Sequence, residues 1–452
     1  NSTWSEYQKS IAYDGLAGEY FGRSVAVSGT YFGVGAYHKI VNGNLDQGAV
    51  YIQDFSRSTA TGNVSVITPI TANNDVFYTT PGNQITLPVL GNDTGNTTLQ
   101  ILSNTTLNSQ TGTTFSKNSN DTYAFKSTGL GTFSFDYKLG GKEQKIFHQN
   151  GLAGDEFGHN VAMDNNFLVV GSVLDDVGGN ANQGSVTVFS KNNGLWTPHS
   201  LLVAPDGSAD DNFGYDVAIS SNTIVVTAWM DDVGSNSNQG SAYVYVFDGT
   251  NWIYQTKLTA SDGSANDQYG RSCDIEGDYI VVGSTLDDIG GQNDRGSAYV
   301  YYRNGTTWSE QAKLLGSGAS GPSEFGGCVA ISGASIAVGA YYDNYSGNTR
   351  RGSAFIFTRT GTSWTQQAQL AALDGAANDW FGSSLDLEND TLVVGAIQDD
   401  VNFTDQGSAY VFKRSGSTWS QTQKITASDG GTSEWFGICL LYTSPSPRDQ
   451  RG

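Results

Sequence analysis

The sequence predicts an all-β fold: a six- to seven-bladed β-propeller built from four-stranded repeats of about 56 residues. Three recurrences in one register predict it. An aromatic-glycine pair returns at Phe21-Gly22, Phe157-Gly158, Phe213-Gly214, Tyr269-Gly270, Phe325-Gly326, Phe381-Gly382 and Phe436-Gly437. A glycine before a strand returns at Gly48, Gly184, Gly240, Gly296, Gly352 and Gly407. A tryptophan returns at Trp4, Trp196, Trp252, Trp308, Trp364 and Trp419, each 17 residues ahead of an aromatic-glycine pair.

The unit from Phe213 to Gly263 holds four short runs rich in Val, Ile, Tyr and Thr, separated by Gly, Asn, Asp and Ser. Strand A is Asp216 to Ser220, B is Thr223 to Ala228, C is Ser241 to Phe247 and D is Trp252 to Ala260. The A–B and C–D links are tight hairpins. Strand A is expected innermost, because it carries the small pairs Val25-Ala26, Val161-Ala162, Val217-Ala218 and Val329-Ala330. The aromatic is expected to wedge between blades, and its glycine to allow positive φ or a close backbone approach.

Taken in order, residues 3–13 read as a D strand ahead of the first blade. Strands A to C of that blade follow, within residues 1–55, and then the period jumps by about 80 residues. The D strand resumes near Glu143, so an insert at 66–141 occupies the C–D hairpin of the first blade. The insert has its own β pattern; Phe133, Phe135 and Tyr137 alternate with polar residues as in a half-buried strand. The remaining blades span 142–438. Residues 439–452 form a pattern-free tail, expected to be foreign to the repeat.

The segments FGRSVAVSGTYFGVGA, FGHNVAMDNNFLVVGS, FGYDVAISSNTIVVTA, YGRSCDIEGDYIVVGS, FGGCVAISGASIAVGA and FGSSLDLENDTLVVGA resemble the FG-GAP repeat of integrin α-subunit heads and many secreted proteins. The resemblance covers the chain apart from the insert and the tail. It implies a propeller and, in many members, an aspartate-rich calcium loop between strands A and B. Here that link is only SGT, DNN, SSN, EGD, SGA or END, so the inherited calcium site departs from the pattern. The insert's opening and its GLGTFSFDYKL close resemble cadherin-like, Ig-type domains, which implies a small β-sandwich.

A chain of 452 residues with a formal charge of −21 argues against binding nucleic acid or an anionic membrane surface. No stretch is long and apolar enough to span a bilayer. Cys273 and Cys328 sit one register position apart on neighbouring A strands, so they are expected to be buried free thiols. Cys439 falls where the pattern decays.

Acidic pairs recur in the B–C link: Asp175-Asp176, Asp231-Asp232, Asp287-Asp288 and Asp399-Asp400, with Asp343-Asn344 in another copy. They are the candidate metal ligands, for calcium, although two carboxylates fall short of the usual six or more oxygens. The plainer reading is turn capping. Links such as DGSADDNFG and DGAANDWFG carry the same two readings. His38, His148, His159 and His199 sit at unrelated repeat positions, and neither a zinc spacing nor a catalytic triad is visible. Sequons stand at Asn1, Asn63, Asn92, Asn96, Asn104, Asn120, Asn304, Asn344, Asn389 and Asn402; four of them fall in turns and links where a glycan would project outward.

Together these features read as an extracellular, non-enzymatic structural or adhesion protein with protein partners. Self-association through residues 3–13 would build a head-to-tail filament by strand exchange. The alternative is a calcium-dependent module that binds glycan or protein; an enzyme is the third reading.

Overall fold

Runs of β-branched and aromatic residues, punctuated by Gly, Asn and Asp, fold each repeat into one antiparallel sheet in the computed structural model. It describes residues 20–28, 31–41, 43–54, 59–65, 84–87, 99–103, 114–117, 123–126, 132–139, 143–148, 150–164, 166–192 and 195–440, with backbone alone for the strand residues within 53–143. The chain divides into two units: residues 1–29, 33–51 and 145–452, and residues 30–32 with 52–144.

Six four-stranded sheets follow one another, each in the order A-B-C-D. Blade one has strands Val25–Ser28, Tyr31–Ala36, Ala49–Asp54 and Glu143–Ile146, so residues 55–142 lie between its C and D strands. The A strands of blades two to six are Phe157–Asp164, Phe213–Ser220, Tyr269–Glu276, Val329–Ser332 and Phe381–Glu388. Among the described residues the one helical element is a 3-10 turn at Tyr345–Gly347. B strands such as Thr223–Ala228 are buried along their whole length, which explains why they read as continuous apolar runs. D strands such as Trp252–Leu258 are buried only at their ends.

The wedge expected of the aromatic is present. Phe213 is fully buried in a cluster that takes Val169, Val186 and Val188 from blade two and Val226 and Tyr243 from its own blade. The backbone around it forms a clasp. Phe213 donates its N–H to Gln183 of the preceding blade, and Phe157, Tyr269, Phe325, Phe381 and Phe436 donate to Gln47, Gln239, Arg295, Arg351 and Gln406 in the same way. The residue before each aromatic-glycine pair has left-handed φ, and from Glu156 onward it donates to a second left-handed residue across the junction: Gln268 (φ 53°) to Asn238 (φ 51°), Trp380 (φ 57°) to Arg350 (φ 50°). The glycine before strand C completes the clasp. Gly240 has φ +84°, and a Cβ there would collide with the Tyr269 carbonyl oxygen of the next blade.

The insert's described strands form two three-stranded antiparallel sheets. One orders Thr59–Ser65, Thr132–Leu139 and Leu99–Ser103; the other orders Gln84–Leu87, Tyr123–Lys126 and Thr114–Lys117. Thr59–Ser65 lies ahead of the expected boundary at residue 66; its sequence, TATGNVS, has one large apolar residue and no alternation to read. The D-like stretch at 3–13 and the tail from 441 lie outside the described residues.

The clasp yields a prediction. Gly240→Ala combines a left-handed φ with a backbone collision and should destabilise the protein by about 3 kcal/mol or more. Gly234→Ala, at φ +65° but with open space around it, should cost only about 1 kcal/mol. Thermal or denaturant melting of both variants checks the ordering.

Candidate functional site

The inner strands converge on a cavity of about 650 Å³ lined by the A strands of all six blades and by Trp435, Ile438, Cys439 and Leu440. Cys439 meets the Val25 backbone, so the residues that follow Phe436-Gly437 close the lining between blade six and blade one; burial pushes this thiol up to about 11. Neighbouring A strands lie against one another around the cavity, and side chains stitch them together. Asp216 accepts the Cys273 N–H at 2.7 Å, and Asp274 accepts the Ile331 N–H at 2.8 Å, each on the next blade and 57 residues further on, one residue beyond the 56-residue repeat. Desolvation raises both carboxyls, Asp216 to about 6 and Asp274 to about 8.

Rings and cations gather at one mouth of the cavity. Tyr20 stacks on Tyr37 at 5.5 Å, Tyr37 meets His159 edge-on at 5.5 Å, and His159 meets Tyr215 at 5.0 Å. Tyr215 packs on Trp229 at 5.0 Å, and the Arg271 guanidinium lies over both, 4.8 and 5.2 Å from their centroids. Arg271 also bonds the Tyr341 phenol, which donates to Glu324 and packs on Trp380 at 5.9 Å. The necklace thus runs from blade one to blade six. Desolvation and the charges of Arg23, Arg271 and His38 lower His159 to about 3, so its imidazole is neutral at physiological pH. Neither Arg23 nor Arg271 forms an ion pair with a carboxylate among the described residues.

The acidic links are built for another task. In each pair the two aspartates diverge. Asp231 points inward, accepting from Ser241 and Tyr243 and pairing with Lys257 Nζ at 2.7 Å, while the same ammonium reaches Asp206 at 2.7 Å. Asp287 and Asp399 repeat this with Lys313 and Lys424. The second members face outward: Asp176, Asp232, Asp288 and Asp400 accept the backbone N–H of Asn182, Asn238, Asp294 and Asp405, the left-handed residues of the clasp. These pairs therefore offer calcium no convergent cage; in three blades a lysine ammonium already fills the position a cation would take. Asp175 stands apart: among the described residues it meets His148, at 4.0 Å, and no lysine.

Of the sequons, Asn304, Asn389 and Asn402 are exposed and Asn344 is half-buried; Asn63 lies on an insert strand, and Asn92, Asn96, Asn104 and Asn120 fall outside the described residues. Cys273 and Cys328 are free thiols, and the Cys328 thiol donates to the Gly382 carbonyl. His38 pairs with Asp46 at 2.9 Å. Sequence reasoning missed the mouth residues. Their signal was variation rather than recurrence: the position after each aromatic-glycine pair reads Arg23, His159, Tyr215, Arg271, Gly327, Ser383 within an otherwise regular unit.

A family profile described as FG-GAP repeat matches residues 4–53, 141–189, 196–245, 252–301, 308–357 and 364–412, well over half of the chain. From the second match on, each joins a D strand to strands A, B and C of the following blade. No curated protein matches the chain.

The axial carboxylates predict a pH dependence of defined sign. The folded pKa of Asp274 lies above its unfolded value, so its contribution is fully present below about pH 4 and is lost as the pH rises through about 8. His159 has the opposite sign: its folded pKa is depressed, and its contribution is lost as the pH falls below about 6.5 towards 3. Relative to the parent, Asp274→Asn should gain melting temperature between pH 5 and pH 9, whatever its offset at pH 5. A pH-independent difference would contradict the burial of this charge.

Proposed function

The chain belongs to the FG-GAP repeat family, whose propellers are typical of adhesion and ligand binding, and we propose that this member is a non-enzymatic, extracellular adhesion module that grips an anionic glycan at the mouth of its axial cavity. One observation carries the reading. Arg23 and Arg271 converge with the rings of Tyr37, Tyr215, Trp229 and Tyr341, and neither guanidinium has a carboxylate partner among the described residues. Cation–π contact is worth roughly 0.5–2 kcal/mol and leaves most donors of a guanidinium fork unused. A carboxylate or sulfate would take those donors bidentately. Sugar rings would lie against the aromatic faces. Secretion is supported by family habit and by the exposed sequons Asn304, Asn389 and Asn402. The inserted unit is read as an Ig-like β-sandwich arm.

Calorimetry of the full chain with uronate- or sulfate-bearing oligosaccharides, against neutral ones of the same length, tests this. The acidic sugars should bind, more weakly as salt rises. Arg271→Gln and Arg23→Gln should each lose about tenfold or more, the scale of a charged hydrogen bond. Equal binding of neutral sugars, or no effect of either variant, would overturn the reading.

A second reading, self-assembly by strand exchange, is favoured by register. The family match begins at residue 4, which places Trp4 where Trp252 opens a D strand, and Phe436-Gly437 docks on Gly407 as the start of a further blade. Residues 3–13 would supply the outer strand of that blade, from the same chain or from a neighbour. Deleting residues 1–13 should reduce filaments to monomers if the donor is a neighbour; an unchanged particle size on light scattering would exclude exchange.

A further inference from the structure

Blade two breaks the pattern of the acidic links at four positions, and all four fall at one spot. In blades three, four and six the inward aspartate is bonded by Ser, Tyr and Lys: Ser241, Tyr243 and Lys257 around Asp231, Ser297, Tyr299 and Lys313 around Asp287, and Ser408, Tyr410 and Lys424 around Asp399. In blade two the serine remains, as Ser185 on Asp175. The tyrosine position is Thr187, and the lysine position, paired with it across strands C and D, is Leu201. Asn150 stands where Asp206 stands, and His148 stands where Ala204 and Ala260 stand.

The ammonium is therefore gone, and of the two carboxylates that pair with it elsewhere one remains, Asp175, while the other is replaced by Asn150. Asp155, in register with Asp211 and Asp267, is buried beside Asp175. His148 brings its Nδ1 to 4.0 Å from Asp175 Oδ2, and one donor atom from each of His148, Asp155 and Asp175 lies within 4.8 Å of the others. The niche also holds polar atoms with no partner. His148 Nδ1 has none, and neither do Thr187 Oγ1 (residue 5% exposed) and Ser172 Oγ (0% exposed). Ser172 pairs with Ser185 across the sheet, and Thr187 follows Ser185 by two, so these hydroxyls share the face that carries Ser185 to Asp175. Blade five shows the other way to lose a lysine: Asp343 there accepts from Gln369 at 2.9 Å and from the Ser320 N–H at 2.8 Å. In blade two the Leu152 N–H is taken by Asp155, and among the described residues no side chain in the place of Gln369 donates to Asp175.

We propose that His148, Asp155 and Asp175 bind one divalent transition-metal ion, zinc by preference, in the place of the lysine ammonium of the other blades. An imidazole nitrogen with two carboxylates suits zinc, and the nitrogen disfavours calcium or magnesium. Donors on one tetrahedral zinc stand about 3.3 Å apart, within reach of small side-chain rotations from the present spacing. Three protein ligands leave a fourth position for water, beside the unpartnered hydroxyls of Thr187 and Ser172. The site is separate from the axial cavity and does not depend on what binds there.

The test uses the full chain without an affinity tag, stripped with chelator and titrated with Zn²⁺ by calorimetry and with Co²⁺ by visible absorption. One equivalent should bind, with cobalt ligand-field bands. His148→Ala installs the residue of blades three and four, and Thr187→Tyr with Leu201→Lys restores the internal ammonium; each should abolish binding while keeping the fold, and either one alone suffices if the other fails to fold. No metal uptake by the parent chain, or uptake that survives in a folded variant of either kind, would overturn the proposal.

Discussion

The blades of this protein are joined by very little backbone. Each junction rests on a short parallel contact in which an aromatic residue donates its N–H to the residue before a glycine of the preceding blade. That contact works only if the glycine has no side chain, because its Cβ would occupy the space of the aromatic's carbonyl. The same approach forces two non-glycine residues per junction into left-handed φ, a conformation that persists only when surrounding packing over-determines it. The buried aromatic supplies that packing, spanning the cores of two sheets. Period, strain and core are thus one arrangement seen at three scales.

The junction also decides what lies on the axis. Sheets that meet at an angle cannot pair their A strands along the whole length, so inner N–H groups are left for side chains to satisfy. Asp216 and Asp274 do so at the cost of burying carboxylates, which is why their pKa values rise. At the mouth, the left-handed residue before the aromatic brings Tyr20, Trp380 and Trp435 to the cavity wall. A feature required for blade closure therefore also furnishes the surface on which a ligand would rest.

The ring was legible because its demands repeat. Seven aromatic-glycine pairs, and glycines at one offset from them, state the junction directly, and the B strands announce their burial as apolar runs. The acidic pairs were visible but their division of labour was not. Two adjacent aspartates in a link give no sign that one will turn inward to a serine and a lysine while the other caps a left-handed residue; side-chain direction in a loop is set by the clasp, not by a period. Lys257, Lys313 and Lys424 also recur in register, yet their partners sit up to 51 residues away in sequence. Thr59–Ser65 escaped notice because its residues carry almost no apolar pattern. The mouth escaped because Arg23, His159, Tyr215 and Arg271 differ from one another.

In a repeat protein, then, sameness reports on the scaffold and difference reports on the site. Arg23 and Arg271, which have no carboxylate partner among the described residues, come from blades one and four, so no single repeat holds both; they are brought together only once the intervening junctions have set. The chain as a whole carries −21, which gives an anion no long-range attraction, and at physiological salt charges are screened beyond about 8 Å. Under the proposed reading, recognition would come from groups that the surrounding blades hold close together. A ligand bridging Arg23 and Arg271 would in turn favour the assembled ring over any state in which a junction has opened, since binding to the folded state alone stabilises it. A substitution at a clasp glycine far from the mouth would therefore weaken apparent affinity only once it leaves a sizeable fraction of the chains with an open junction.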